Sequence, residues 1–289
     1  VSGSTPPPDP APGWPSGSRR SGTSWWWLLV AVLAIALVTA LVAQPWAPVE
    51  TEPTPTGTVT DTEPTTAPTT QPPSLAPSVA PPGADAMFDA ITAPTLFVTS
   101  AELLVNVPAA EPEVRQLITS GQLPWGLPAG STVDPPECTA AVTVVATPPT
   151  WFDALMWGND AMSFEQEVVL LPDPAAAREA FRELVTTVDG CPEYSQVNLG
   201  IDGATWSAEP AIEGQGVYPS IVQEITHSAE GSEIPGYRGH MLVGNTIVTW
   251  TAEALGPGDA DAARATLGDA ASLSAMIQDR AQSAVQSLG

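Results

Sequence analysis

Apolar positions along this chain follow two regimes. From Trp25 to Ala43 they run almost without interruption, nineteen residues with no charge. As a helix this is about 28 Å at 1.5 Å per residue, close to the thickness of a bilayer core. From residue 84 onward apolar residues recur at short periodic spacings, broken by turn residues, as in a folded domain.

Within that second regime, "TSAELLVNV" places Leu103, Leu104 and Val107 at helical spacing, and "EPEVRQLITSG" puts Val114, Leu117 and Ile118 on one helical face closed by Gly121. "AAVTVVAT" and "FEQEVVLL" have the β-branched density of strands. In "DPAAAREAFRELVTTVDG" Asp173 is suited to the N-cap, Pro174 to the first helical position and Gly190 to the end. Its buried stripe is Ala177, Phe181, Leu184, Val185 and Val188. "SIVQEITH" reads as a strand, and "YRGHMLVGNTIVTWTAE" as a hairpin with Gly244 and Asn245 at positive φ in its turn. From about Asp259, residues Leu267, Ala271, Ser274, Ile277, Ala281, Val285 and Leu288 predict one long C-terminal helix. These elements predict the α+β class, an antiparallel β-sheet packed by helices.

The flanks of the apolar run give it a direction. Arg19 and Arg20 precede it, and no Lys or Arg occurs between it and Arg115. The positive-inside rule then leaves residues 1–24 cytoplasmic and everything after Ala43 outside, with Trp25 to Trp27 and Trp46 at the two interfaces. A cleaved signal peptide is the competing reading, with Val38-Thr39-Ala40 as the more passable cleavage site. The length favours a single-pass transmembrane helix over residues 25–43, and both readings export the C-terminal part of the chain. Residues 44–83 are dominated by Pro and Thr, an extended tether with a composition open to O-glycosylation. Residues 84–289 form the extracytoplasmic domain.

Charge narrows the partners. The chain has no Lys and a formal net charge of −24. Setting aside Arg19, Arg20 and Asp9 leaves 6 Arg against 31 Asp and Glu, or −25, beyond the apolar run. Such a surface repels nucleic acid and anionic head groups. The chain contains no protein-kinase phosphate loop, no H-R-D and no D-F-G.

Candidate chemistry is sparse. No G-x-S-x-G occurs, and Ser228 and His227 are neighbours that a strand would turn to opposite faces. Glu165 and Glu167 share one face of a predicted strand, which reads as its solvated side. No metal site and no cofactor are expected, since His227 and His240 lack ligand-like spacing. A binding role has better residues. "WFDALMWGND" gathers Trp151 and Trp157 beside polar groups, as a sugar or hydrophobic ligand would need, or as a core edge would. Arg238 and His240 lie two apart on a predicted strand, hence on one face, where they could receive an anion; the alternative is Arg238 in a structural salt bridge. Cys138 and Cys191, the only cysteines, are expected to pair in an exported domain.

"DPPECTAAV", then "VVLLPDPAAAREAFRELVTTVDGCPEY", then "LVGNTIVTW" before an Ala-rich helix resemble the PknH-like extracellular sensor domain family of actinobacterial membrane proteins, over roughly residues 95–287. The resemblance implies an antiparallel sheet with helices around a cleft for an unidentified ligand. The family's kinase carries two disulfides in this domain where this chain has cysteines for one, and the family's Trp before the second cysteine is replaced by Thr187-Val188-Asp189-Gly190. The expected function is a membrane-anchored sensor domain that binds a cell-wall-related ligand or an envelope protein, and not an enzyme. The alternatives are an adaptor holding no small molecule and a cell-wall hydrolase.

Overall fold

The computed structural model describes residues 82–198, 203–229 and 231–289. The predicted tail, the apolar span and nearly all of the Pro/Thr tether lie outside these residues. Among the described residues no helix is long and apolar enough to cross a membrane.

The fold is α+β, as expected. Ten antiparallel strands form one sheet: β1 (Arg115–Ile118), β2 (Thr132–Asp134), β3 (Trp151–Gly158), β4 (Met162–Leu170), β5 (Glu193–Val197), β6 (Ala204–Ala208), β7 (Ile212–Glu213), β8 (Ser220–Ala229), β9 (Ser232–Val243) and β10 (Thr246–Ala254). Their order is β1-β3-β4-β10-β9-β8-β6-β5-β2, with β7 alongside β8. The helices are α1 (Ser100–Asn106), α2 (Thr139–Thr143), α3 (Pro174–Gly190), α4 (Ala260–Ala265) and α5 (Ala270–Gln286).

Alternation along the central strands divides the sheet into two unlike faces. Met162, Phe164, Val168, Met241, Val243, Val248, Trp250 and Ala252 point to the first face. They pack there with Leu103 of α1, Ala263 of α4 and Leu273, Met276 and Ile277 of α5. On the second face only one end is apolar: Val169, Ile247 and Ile221 meet Ala177, Phe181, Leu184 and Val188 of α3. The Asp173 carboxylate accepts from the Ala176 amide and Pro174 opens the helix, as predicted. Much of the remaining face is polar, with Glu165, Glu167, Thr249, Thr251, Arg238 and Gln223 side by side.

Three predicted elements differ. Within residues 114–121 lies the edge strand β1, not a helix. Val114 is buried while Arg115, Gln116 and Leu117 are exposed, so no helical stripe meets the core, and the free edge of β3 supplies the ladder. The Asp153 carboxylate fixes the adjoining turn, accepting from Ser120 Oγ and from the Gly121 amide. "AAVTVVAT" is not a strand. A 3-10 turn over Pro136–Cys138 leads directly into α2, which stops at Val144 with φ +66°. The disulfide ties this segment to the end of α3. The long C-terminal helix is two, because Gly268 turns at φ +86° and Asp269 restarts the chain by capping the Ser272 amide.

The hairpin turn uses its two residues differently from expectation. Gly244 takes φ +56°, and a Cβ there would lie 2.1 Å from the Ala86 carbonyl oxygen. Asn245 has no positive φ among the described residues; it is a buried clamp. Its Oδ1 accepts from the Phe88 amide at 2.7 Å, and its Nδ2 donates to the carbonyls of Phe88 and Leu171. Asn245→Ala leaves those backbone groups without partners and is expected to cost about 2 kcal/mol. Urea unfolding of the two proteins side by side measures it.

Candidate functional site

Register builds the polar half of the second face. Across β3, β4, β10, β9 and β8, one row reads Met156, Glu165, Thr251, Arg238 and Gln223; the next reads Ala154, Glu167, Thr249, His240 and Ile221. On β10 the alternation Thr249, Thr251, Glu253 continues this polar strip. Against it stand Ala141, Val142 and Val144 from α2 and its end, and Gln196 and Trp206 from β5 and β6. The result is a cleft of about 200 Å³ floored by Glu165, Glu167 and Arg238. Val142, Glu165, Glu167 and Gln196 also line a neighbouring chamber of about 430 Å³, walled by Leu123, Trp125 and Phe152.

Arg238 is held without an acidic partner. Its Nε donates to Thr251 Oγ1 at 3.2 Å, and its Nη1 donates to the Ala141 carbonyl at 3.4 Å and to the Tyr194 hydroxyl. Its guanidinium carbon lies 5.8 Å from the centre of the Trp206 ring, a cation–π distance. The alternative expected for Arg238, a structural salt bridge, is absent among the described residues: no carboxylate lies within 4.0 Å of it. Nη2 has no protein partner there either.

Trp206 is fixed by a stack. Tyr194, Trp206 and His227 occupy adjacent positions on β5, β6 and β8. Their rings are nearly parallel, at 5.5 Å and 5.0 Å, the spacing of favourable aromatic pairs. Trp206 is thus held between the two neighbouring rings. His227 Nδ1 lies 2.9 Å from Glu253 Oε1, and Ser163 Oγ donates to Glu253 Oε2 at 3.1 Å. Burial alone would raise the Glu253 carboxyl; the hydrogen bond and charge of His227 prevail and hold it below the usual range.

Glu165 and Glu167 behave oppositely. Both are half-buried, and among the described residues neither carboxyl is stabilised by a hydrogen bond. Burial pushes Glu167 up to about 8, and the adjacent Glu165 adds to it while Arg238 only partly offsets it. Glu165 is raised too, by burial and by Glu253 against Arg238. The pair therefore is not the solvated side of a strand that its spacing suggested. It lies under a roof the sequence did not reveal.

Of the four binding residues expected from sequence, the structure brings two together. Arg238 and His240 share the cleft face. His240 is buried at 1% exposure and its Nδ1 pairs with Thr249 Oγ1, while burial and Arg238 push its pKa down to about 3. It braces the floor as a neutral ring. Trp151 and Trp157 pair with Leu170 and Phe164 and pack into the helix-covered face, away from Arg238. Asn159 is spent on structure, accepting from the Ala161 and Met162 amides of its own turn and donating to the distant Ala109 and Glu113 carbonyls. Sequence reasoning did not single out Trp206, Tyr194, Gln196, Thr249 and Thr251 as cleft residues; the polar alternation 249-251-253 opposite Glu165 and Glu167 was the available signal. Larger surface depressions exist, but in one of 570 Å³ the arginine is already paired, Arg264 with Glu224 and Asp261.

The Cys138–Cys191 disulfide forms as expected. No group of three or more metal-ligating side chains occurs among the described residues. No protein-family model matches the chain, and no curated protein matches it. Its fold is similar to that of the extracellular domain of PknH from Mycobacterium tuberculosis, at 16% identity and a TM-score of 0.51, over 68% of this chain and 98% of that one. An uncharacterised Rv0999 ortholog from Mycobacterium smegmatis aligns at 17% identity and a TM-score of 0.32, over 62% of this chain and 96% of that one.

Proposed function

We propose that residues 84–289 are an extracytoplasmic, sensor-like ligand-binding domain, carried at the membrane by residues 25–43, with its ligand seated over Glu165, Glu167 and Arg238. The observation that carries this reading is the set of unpartnered ionisable groups in the cleft. A guanidinium held only by neutral oxygens and two carboxyls without hydrogen bonds are costly in an enclosed site. Such groups are costs a binding site offsets when its ligand arrives. The export side of the reading rests on the basic flank of the apolar run and on the disulfide, which persists in oxidising compartments. The PknH domain of similar fold is extracellular, in keeping with it.

The same groups are read as binding rather than catalytic. His227 is engaged by Glu253, and Ser228 stands on the other face of β8. No turnover of envelope polysaccharide is expected from the purified protein.

The test is to purify the full chain in mild detergent, denature it, and identify released small molecules by mass. A compound retained by the wild type and lost from Arg238→Gln supports the reading. A chain that releases no small molecule, but whose Arg238 face is protected from hydrogen exchange by an envelope protein, replaces it with the adaptor role.

A further inference from the structure

The cleft's charges are arranged as an ordered pair with a gap. Glu165 and Arg238 lie in one row, separated by Thr251, so their Cα atoms are two strand spacings apart, about 10 Å. Both side chains are long enough to meet, and they do not: Arg238 is turned instead to Thr251, Ala141 and Tyr194. Those three acceptors fix the guanidinium plane and leave Nη2 open. One row along, Glu167 adds a second carboxyl on the same side of the gap. The floor therefore presents a fixed donor at one end and unpartnered acceptors at the other.

Few ligands satisfy both ends. A simple anion would reach Arg238 but meet two carboxyls, within a chain of net charge −24. A neutral polyol would leave the opposite charges unmatched. A molecule with an ammonium and a carboxylate on one carbon puts the cation against Glu165 and Glu167 and the anion on Nη2. Deepening the ligand-binding reading above, on which it rests, we infer that this cleft is built for a small zwitterion, an α-ammonium carboxylate of the amino-acid class. Its side chain extends into the chamber walled by Leu123, Trp125 and Phe152, which selects an apolar one.

Isothermal titration of the full chain in detergent tests this with glycine and both enantiomers of leucine. N-acetyl-leucine lacks the ammonium, leucinamide lacks the carboxylate, and N-acetylglucosamine is a neutral polyol. One leucine enantiomer is expected to bind, tighter than glycine by roughly tenfold or more from its buried side chain. Each blocked leucine is expected to bind at least tenfold more weakly. Arg238→Gln should weaken leucine but leave leucinamide unchanged; Glu165→Gln with Glu167→Gln should weaken leucine but leave N-acetyl-leucine unchanged. An unfolded variant would lose every ligand alike, so this crossed pattern separates binding from folding. Binding of N-acetylglucosamine with no response to any leucine overturns the zwitterion and leaves the ligand-binding reading standing. No binding in the series, together with no small molecule released from the purified chain, overturns both.

Discussion

Replacing both bridge cysteines, Cys138→Ser with Cys191→Ser, is expected to lower the unfolding free energy by about 4 kcal/mol. The bridge joins residues 53 apart in sequence, and closing a loop of that size removes this much chain entropy from the unfolded state. The native contacts at the bridge point the same way. Cys138 ends the turn that starts α2, Cys191 comes directly after α3, and Val133, Ala141 and Tyr194 are buried around them. The loss is measured by urea denaturation of the double variant, with the reduced wild type as a second comparison. A loss below 1 kcal/mol in both would mean that the unfolded chain already holds these segments together. Ligand affinity should fall as well, because α2 supplies both the Ala141 carbonyl that Arg238 uses and the Val142 and Val144 roof.

Local signals were legible wherever one element could be judged from its own residues. Helix α3 announces both ends through Asp173, Pro174 and Gly190, and its apolar stripe repeats every three or four residues. Strands β4, β8, β9 and β10 alternate or run apolar without interruption. The misread segments are those whose conformation is set from elsewhere. "EPEVRQLITSG" has helical spacing, but the unpaired edge of β3 and the Asp153 carboxylate recruit it as a strand. "AAVTVVAT" has strand composition, but it is pinned to α3 through Cys138. Strands β2, β5, β6 and β7 carry weaker patterns, and their ladders arise from long-range pairing.

The cleft shows the same division more sharply. Two-residue spacing puts Arg238 with His240, and Glu165 with Glu167, on one face of each strand. What spacing cannot show is that β10 lies between β4 and β9, so that the two pairs share one floor. Nor can it show that Tyr194, from the far side of the sheet, reaches Arg238. Trp151 and Trp157 illustrate the converse. Their composition suits a ligand, yet their parity on β3 matches that of Leu155, which packs against the helix-covered core, and this was the stronger signal.

Glu167→Gln is expected to stabilise the protein by about 3 kcal/mol at pH 8.5 and to change it little at pH 5. The folded carboxyl is raised to about 8 from an ordinary value of 4.5, chiefly by burial. Between those values the folded state keeps a proton that the unfolded state has released, so the wild type loses stability as pH rises. The loss is complete once pH passes the folded value. A shift of this size sets a ceiling near 5 kcal/mol, reduced here because the carboxyl is only half-buried and Glu165 can adjust its own protonation. His240 works in the opposite sense. Its folded value near 3 lies below the ordinary 6.5, so its contribution is present above 6.5 and lost as pH falls. The interval between pH 6.5 and 8 therefore separates Glu167 from His240, and subtracting the variant's pH profile from the wild type's cancels His240. Glutamine keeps the shape and removes the ionisable group. Chemical denaturation at half-unit steps from pH 5 to 8.5 reads the result. Parallel profiles for the two proteins would mean that Glu167 ionises freely in the fold, and that the cleft holds no unspent acid at that position.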